Sequence, residues 1–290
     1  MGFPLRPPLE IPTLDDFVRV PAGPFLYGPE RCFERLEHCP PLKSEQSLVL
    51  PEFLIGQYPI TNLQWLRFLE ATGHDWVGSW YRVVPGWRGT FLRAYAATLH
   101  YPDDHDHYPI VDVSLADALA YCDWLSGVLD QPCGIPTETQ WEKAGRGPDG
   151  RLYPWGNTPP RPDIQWQRKF PVTLETFLFS LFIQPRREWA RAGGYWRNGY
   201  PLPVGAIPEN VSPYGCVDMS GNIWEWTISL YNPNLPDFHT VKGGSWGYSI
   251  HHTALNVRSA CSVTTRSVDY RAQGTGFRVI IRTPDDFSPE

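Results

Sequence analysis

The sequence predicts an α+β fold that is rich in loops and has few long helices. Two observations carry this. Proline (31) and glycine (25) are dense for 290 residues, and both interrupt regular structure. After Gly147 the chain also breaks into short, glycine-punctuated pieces, "YPWGN", "SPYGCVDMSGNIWEWT" and "VKGGSW", which read as tight loops joined by brief strands. The length suits one large domain or two small ones, and 42% hydrophobic residues allow a substantial core.

The elements follow in order. Residues 1–17, "MGFPLRPPLEIPTLDDF", form a proline-rich surface arm. "FVRVPAGPFLYG" (17–28) alternates apolar and small residues and predicts the two strands of a hairpin; "EFLIGQYPI" (52–60) predicts another strand. Thr61 then offers an N-cap, Leu63, Leu66 and Leu69 lie at helical spacing, and Gly73 marks the stop. Residues 75–106 are aromatic and irregular. Ser114 caps a second helix, "LADALAYCDWLSGVL", with Leu115, Ala118, Leu119, Cys122 and Leu125 as its apolar stripe. A short third helix in "IPTETQWEKAGRG" is capped by Thr137, with Glu138 in its first turn. Residues 171–196 could form one amphipathic helix broken at Pro185. In a strand over 222–226, Trp224 and Trp226 share one face and Glu225 takes the other. Gly243 and Gly244 allow close backbone approach beneath the next strand.

A net charge of −6 argues against a nucleic-acid partner, so Arg186, Arg187 and Arg191 read as a solvated helix face. The six cysteines (32, 39, 122, 133, 216 and 261) include no CxxC pair, which argues against a zinc ribbon. No signal peptide is legible, and the longest apolar run, "FLFSLFI" (177–183), is too short to span a bilayer. The expectation is a cytoplasmic protein with reduced thiols and no membrane partner, a Cys32–Cys39 disulfide being left open.

The ordered elements "VPAGPFLYG", "FLIGQYPITNLQWLRFL", "YPIVDVSLADALAYCDWL", "IPTETQWEKAGRG", "YPWGN", "SPYGCVDMSGNIWEWT", "KGGSW" and "GFRV" resemble the formylglycine-generating-enzyme / sulfatase-modifying-factor family over nearly the whole chain. The resemblance implies a variant C-type lectin fold: one domain over 18–282, short twisted sheets, two flanking helices and much irregular loop, with 171–196 as an atypical insert and 283–290 as a tail.

The resemblance also tests chemistry. Family enzymes hold Cu(I) with two cysteines five positions apart, shortly before "GFR", because Cu(I) is satisfied by soft thiolates. Those positions fall on Ala254 and Ser259, and Cys261 is the single cysteine of that segment. No copper is therefore expected. The family's calcium site maps onto the side chains of Asp218 and Glu225 and the carbonyls of Gly221 and Ile223, a donor set that leaves Ca²⁺ open. "PDDHDHYP" (102–109) reads as a solvated acidic loop rather than a metal site.

The lost thiols coincide with an altered alphabet. Residues 247–275 contain no Pro, Trp, Phe, Lys, Glu or Met. At the chain's own usage a window of that length holds roughly six Pro, Trp or Phe. In one branch of the fold family this segment is diversified by a retroelement that mutates template adenines. The variable asparagine codons then cannot become Lys, Glu, Gln, Met or Trp codons, and Gln273 is the one exception here. The frame "VRSA…R…DYR…TGFR" resembles the fixed positions of such regions. The expected ligand surface comprises Trp246, Tyr248, Ser249, His251, His252, Asn256, Cys261, Val263, Thr265, Tyr270 and Ala272, bounded by Thr275. Tyr, Ser, Asn and His suit a paratope, and the expected ligand is a protein. The apolar 171–196 insert reads as core or as a docking face for a second protein. The expectation is a non-catalytic binding domain, diversified or plain; the alternative is a copper-dependent formylglycine-generating or related oxidase with altered residues.

Overall fold

The structure, a computed structural model, describes residues 7–28, 31–32, 44–76, 78–86, 89–96, 101, 103–158, 201–245, 257–262 and 274–282; for 31–32, 79, 81–86, 89–96 and 257–262 it describes the backbone. Three helices form where caps and apolar spacing demand them: α1 (Asn62–Thr72), α2 (Leu115–Leu129) and α3 (Glu138–Arg146). Each starts with a reciprocal capping box, Thr61 with Gln64, Ser114 with Asp117 and Thr137 with Gln140, which satisfies backbone donors that the first turn leaves open. Gly73 ends α1 in the left-handed region at φ +66°, and Asp130 ends α2 at φ +50°.

The buried face of α1 differs from the expected leucine stripe. Trp65, Phe68 and Leu69 are buried, whereas Leu63 and Leu66 are only partly so. The larger aromatic side chains take the inward positions because they remove more surface from water. Trp65 stacks on Tyr121 of α2, with ring centroids 5.9 Å apart, and Phe277 meets both rings edge-on.

Thirteen short strands are described: β1 (Phe17–Val20), β2 (Gly23–Tyr27), β3 (Arg31–Cys32), β4 (Gln46–Leu50), β5 (Phe53–Gly56), β6 (Ser79–Gly86), β7 (Gly89–Ala96), β8 (Cys133–Gly134), β9 (Trp224–Leu230), β10 (Phe238–Lys242), β11 (Val257–Ser262), β12 (Thr275–Gly276) and β13 (Ile280–Ile281). They build a four-stranded sheet ordered β1-β5-β13-β8, a five-stranded sheet ordered β12-β9-β10-β11-β3, and the pairs β2-β4 and β6-β7.

Two expectations are corrected. Strands β1 and β2 are adjacent in sequence but do not form a hairpin: β1 pairs with β5 and β2 with β4. The link between them is held inward instead, because the Lys143 ammonium donates to the carbonyls of Pro21 (2.7 Å) and Gly23 (3.0 Å). The stretch 75–106 is not irregular throughout, since 79–96 is an eight-residue antiparallel pair in register from Ser79↔Ala96 to Gly86↔Gly89.

A main core gathers α1, α2, β8, β9 and Phe277, and a second packs Trp141 and Ala144 of α3 against Val20, Phe53, Ile55, Cys216, Met219 and Ile280. Leu9 and Glu10 lie against α1: Gln64 Nε2 donates to Leu9 O, and Arg67 pairs with Glu10 at 2.8 Å. Among the described residues no helix is long and apolar enough to cross a membrane.

Candidate functional site

Strand β9 organises the region. Its indoles lie on the main-core side, where Trp226 Nε1 donates to Val113 O at 2.9 Å. Glu225 points the other way and is fully buried. The alternation expected for 222–226 is therefore present. Glu225 Oε2 accepts from Trp141 Nε1 (2.7 Å) and Arg278 Nε (2.6 Å), and Oε1 accepts from Arg278 Nη2 (2.7 Å). Arg278 also donates to the carbonyls of Gly56, Gln57 and Val217. Its place depends on Gly276, where a Cβ would stand 2.1 Å from Ile110 O. Gly243, at φ +98°, does similar service beneath β9, since a Cβ there would meet Ile223 O at 3.3 Å.

The glycine turn before β9 is closed by side-chain amides and carboxyls. Asp218 and Asn222 sit in the left-handed region at φ +60° and +65°. Asp218 Oδ2 accepts from Gly205 N at 2.7 Å. Asn222 bonds both backbone groups of Leu202, and Gly221 N donates to Gly243 O at 2.7 Å. Burial, above all, pushes the Asp218 carboxyl up to about 7; the Glu225 charge adds to this, while the Gly205 amide, Arg278 and Asn222 oppose it.

The expected calcium donors also serve as partners within the turn. Ca²⁺ takes six to eight oxygens. Both Glu225 oxygens are already bound by a guanidinium, Gly221 O accepts from Ile223 N, and Asp218 has given one oxygen to Gly205. Arg278 was missed as the partner of Glu225. Its signal was an arginine inside the apolar run "GFRVII", a position a charge occupies only when paired.

A second buried polar cluster was also missed. Glu142 Oε1 accepts from Gly28 N (2.8 Å) and Arg146 Nη1 (2.7 Å), and Oε2 accepts from Lys242 Nζ (2.8 Å). The helical i,i+4 spacing of Glu142 and Arg146 was a legible hint. The acidic loop follows expectation in part. Asp103, Asp104, Asp106 and His107 are exposed, but His105 is buried, stacked on Tyr108 at 4.2 Å with Nδ1 against Asp103 O. No cluster of three or more His, Cys, Asp or Glu able to hold a metal occurs among the described residues.

Cys122, Cys133 and Cys216 are buried free thiols that pack as small apolar groups. Burial raises all three, Cys216 to about 11.

Of the expected ligand surface, Trp246, Tyr248, Ser249, His251, His252, Asn256, Val263, Thr265, Tyr270 and Ala272 lie outside the described residues, as do the 171–196 insert and Cys39. Cys261 lies on β11 opposite His239 of β10. At the expected boundary, Gly274 and Thr275 are buried, and Thr275 belongs to β12, so they frame the surface. The frame is well defined. The tract leaves at buried Ser245 after β10, returns to β10 as β11, and ends on β9, where Trp224 N donates to Gly274 O at 2.7 Å and β12 pairs with β9. One five-stranded sheet thus holds both ends and the middle. Such a scaffold can present side chains.

Comparison with known proteins agrees with this architecture. The chain is 30% identical over 294 residues to the mouse inactive C-alpha-formylglycine-generating enzyme 2, covering 90% of this chain and 84% of that protein. It is 29% identical to the hercynine oxygenase of Mycolicibacterium smegmatis, covering 79% of this chain but 54% of that enzyme. In fold it resembles Treponema denticola variable protein 1, with TM-score 0.56, 16% identity, and coverage of 92% of this chain and 95% of that one. Residues 3–283 match the sulfatase-modifying factor enzyme 1-like domain, and the chain belongs to that family, with its C-type-lectin-like fold.

Proposed function

We propose that this chain is a non-catalytic ligand-binding domain whose ligand, a protein, is gripped by the tract between Trp246 and Gln273. The observation that carries the reading is the replacement of the family's paired thiols by Ala254 and Ser259, within a tract pinned at both ends and in the middle to one sheet. Trp246, Tyr248, His251, His252 and Tyr270 are the anchors, because large amphipathic rings give contact area at low entropic cost. The relative named as inactive and the fold likeness to a variable protein support it. The restricted alphabet supports retroelement diversification, and the 171–196 insert is the candidate face for a second protein partner.

The competing reading is an oxidase with altered residues, which the likeness to hercynine oxygenase favours. Incubation with Cu(I), O₂ and a cysteine-containing sulfatase peptide separates the two, with mass spectrometry for the formylglycine aldehyde. The expected result is an unchanged peptide; turnover overturns the binding reading. Diversification is tested in the DNA. A nearby near-repeat of codons 247–275 that differs at adenines, beside a reverse-transcriptase gene, is expected, and without it the plain binding domain stands.

A further inference from the structure

We infer that Cys261 and His239 form a thiol–imidazole pair, which gives the proposed ligand surface a reactive thiol that bonds covalently to soft electrophiles. Strands β10 and β11 pair antiparallel over five consecutive rungs, from Phe238↔Ser262 to Lys242↔Arg258, and Cys261 stands opposite His239. Residues directly opposite in an antiparallel pair share a face, with Cβ atoms about 4.5–5.5 Å apart. A thiol and an imidazole on such a rung can meet at hydrogen-bond distance, as proton transfer between them requires.

The same rung is where the face leaves the core. Side chains alternate along a strand, so His239 shares its face with Val241. Val241 is buried in the main core, whereas His239 is partly exposed. The ladder to β9 shifts register between these two residues, but the ladder to β11 is unbroken. Cys261 therefore stands one step outside the core, on the tract assigned to the ligand.

His239 is equipped to act as the base. Its Nδ1 is buried and makes no hydrogen bond among the described residues. Across the other ladder it faces Leu230 of β9. Burial pushes the imidazole below its ordinary value, the carbonyls of Ile228 and Thr227 oppose this, and no charged side chain among the described residues contributes. The ring is therefore neutral near pH 7 and can take a proton. Cys122, Cys133 and Cys216 differ, because burial in the fold keeps those thiols protonated.

With iodoacetamide as the electrophile, the Cys261 Sγ–H proton passes to a ring nitrogen of His239 as the Sγ–C bond forms and the C–I bond breaks. Iodide leaves, and the imidazolium returns its proton to water. The pair's place in a ligand surface rests on the binding reading; its chemistry does not, and the test uses no protein ligand.

That test is the pH dependence of iodoacetamide alkylation of the reduced full chain, read at Cys261 by peptide mass mapping. The same chain in urea gives the rate of this thiol without its neighbour. An unassisted thiol titrates near 8.5, so about one in a hundred is thiolate at pH 6.5. Native Cys261 is expected to react at least about tenfold faster than in urea at that pH, with an inflection below pH 7. His239→Gln is expected to lower the native rate to the urea rate and to move the inflection above pH 8. Native Cys261 that reacts no faster than in urea, or not at all, overturns the proposal, as does a His239→Gln chain that keeps the fast rate. Where His239→Gln does not fold, the pH profile of the unaltered chain decides.

Discussion

Asn222 holds Leu202 by both of its backbone groups: Oδ1 accepts from Leu202 N at 3.1 Å, and Nδ2 donates to Leu202 O at 3.1 Å. The side chain thereby substitutes for a strand neighbour, and its φ of +65° is one that asparagine tolerates better than most residues. Asn222→Ala is expected to cost about 3 kcal/mol, from two lost bonds and a strained backbone. Asn222→Gly removes the bonds but relieves the strain, and should cost about 1 kcal/mol less. Urea denaturation measures both, and hydrogen exchange should show the Leu202 amide losing protection in each.

Asp218 sets a pH dependence. Its carboxyl is raised from 3.8 to about 7, burial being the largest cause. The folded chain therefore keeps a proton that the unfolded chain releases near the ordinary carboxylate pKa. The stability this contributes is fully present below that ordinary value and is lost as pH rises through about 7. Asp218→Asn keeps an acceptor for Gly205 N and cannot ionise. Its melting temperature should gain on the native chain between pH 5 and pH 8 and then hold a constant gap. A gap that is flat from pH 5 to pH 8 would contradict the assignment.

The Glu142–Lys242 pair joins α3 to β10 at 2.8 Å, with both side chains about 1% exposed. Lys242→Met leaves Glu142 paired with Arg146 alone and its Oε2 without a donor, and is expected to cost about 1–3 kcal/mol. Glu142→Gln with Lys242→Met should cost less than the sum of the two singles. A double-mutant cycle by chemical denaturation measures the coupling, and additivity would show that the pair does not act as a unit.

Two glycines should respond in opposite directions. At Gly276 a Cβ would stand 2.1 Å from a backbone oxygen, so Gly276→Ala is expected to cost at least about 3 kcal/mol, the upper end of overpacking. At Gly127, exposed in α2, nothing lies within 4 Å of the added carbon. Gly127→Ala should stabilise by about 0.5–1 kcal/mol through helix propensity. Thermal melts of the two variants check both signs.

The sequence made some features legible and hid others for physical reasons. Caps are local, so Thr61, Ser114 and Thr137 marked three helix starts that the structure keeps. The Trp224/Glu225/Trp226 alternation was legible because strand periodicity is also local. Pairing partners were not: β1 and β2 read as a hairpin because neighbours in sequence often pair, whereas β1 found β5 and β2 found β4, across intervening chain. The same limit applied to the site. The counter-ion of Glu225 lies 53 residues further along the chain, where spacing rules cannot reach. The missing thiol pair needed no geometry, since no rearrangement of the backbone creates a cysteine at Ala254 or Ser259.

The reach of Arg278 has a consequence for biosynthesis. It bonds residues 221 and 222 positions earlier in the chain, and β13 just after it zips onto β5 and β8. Until that arginine emerges from the ribosome, Glu225 has no counter-ion and the four-stranded sheet lacks its third member. Contacts so distant in sequence form late and slowly. The nascent protein must therefore wait with its interior open, and its dependence on chaperones should be greatest until Ile281 has cleared the ribosome.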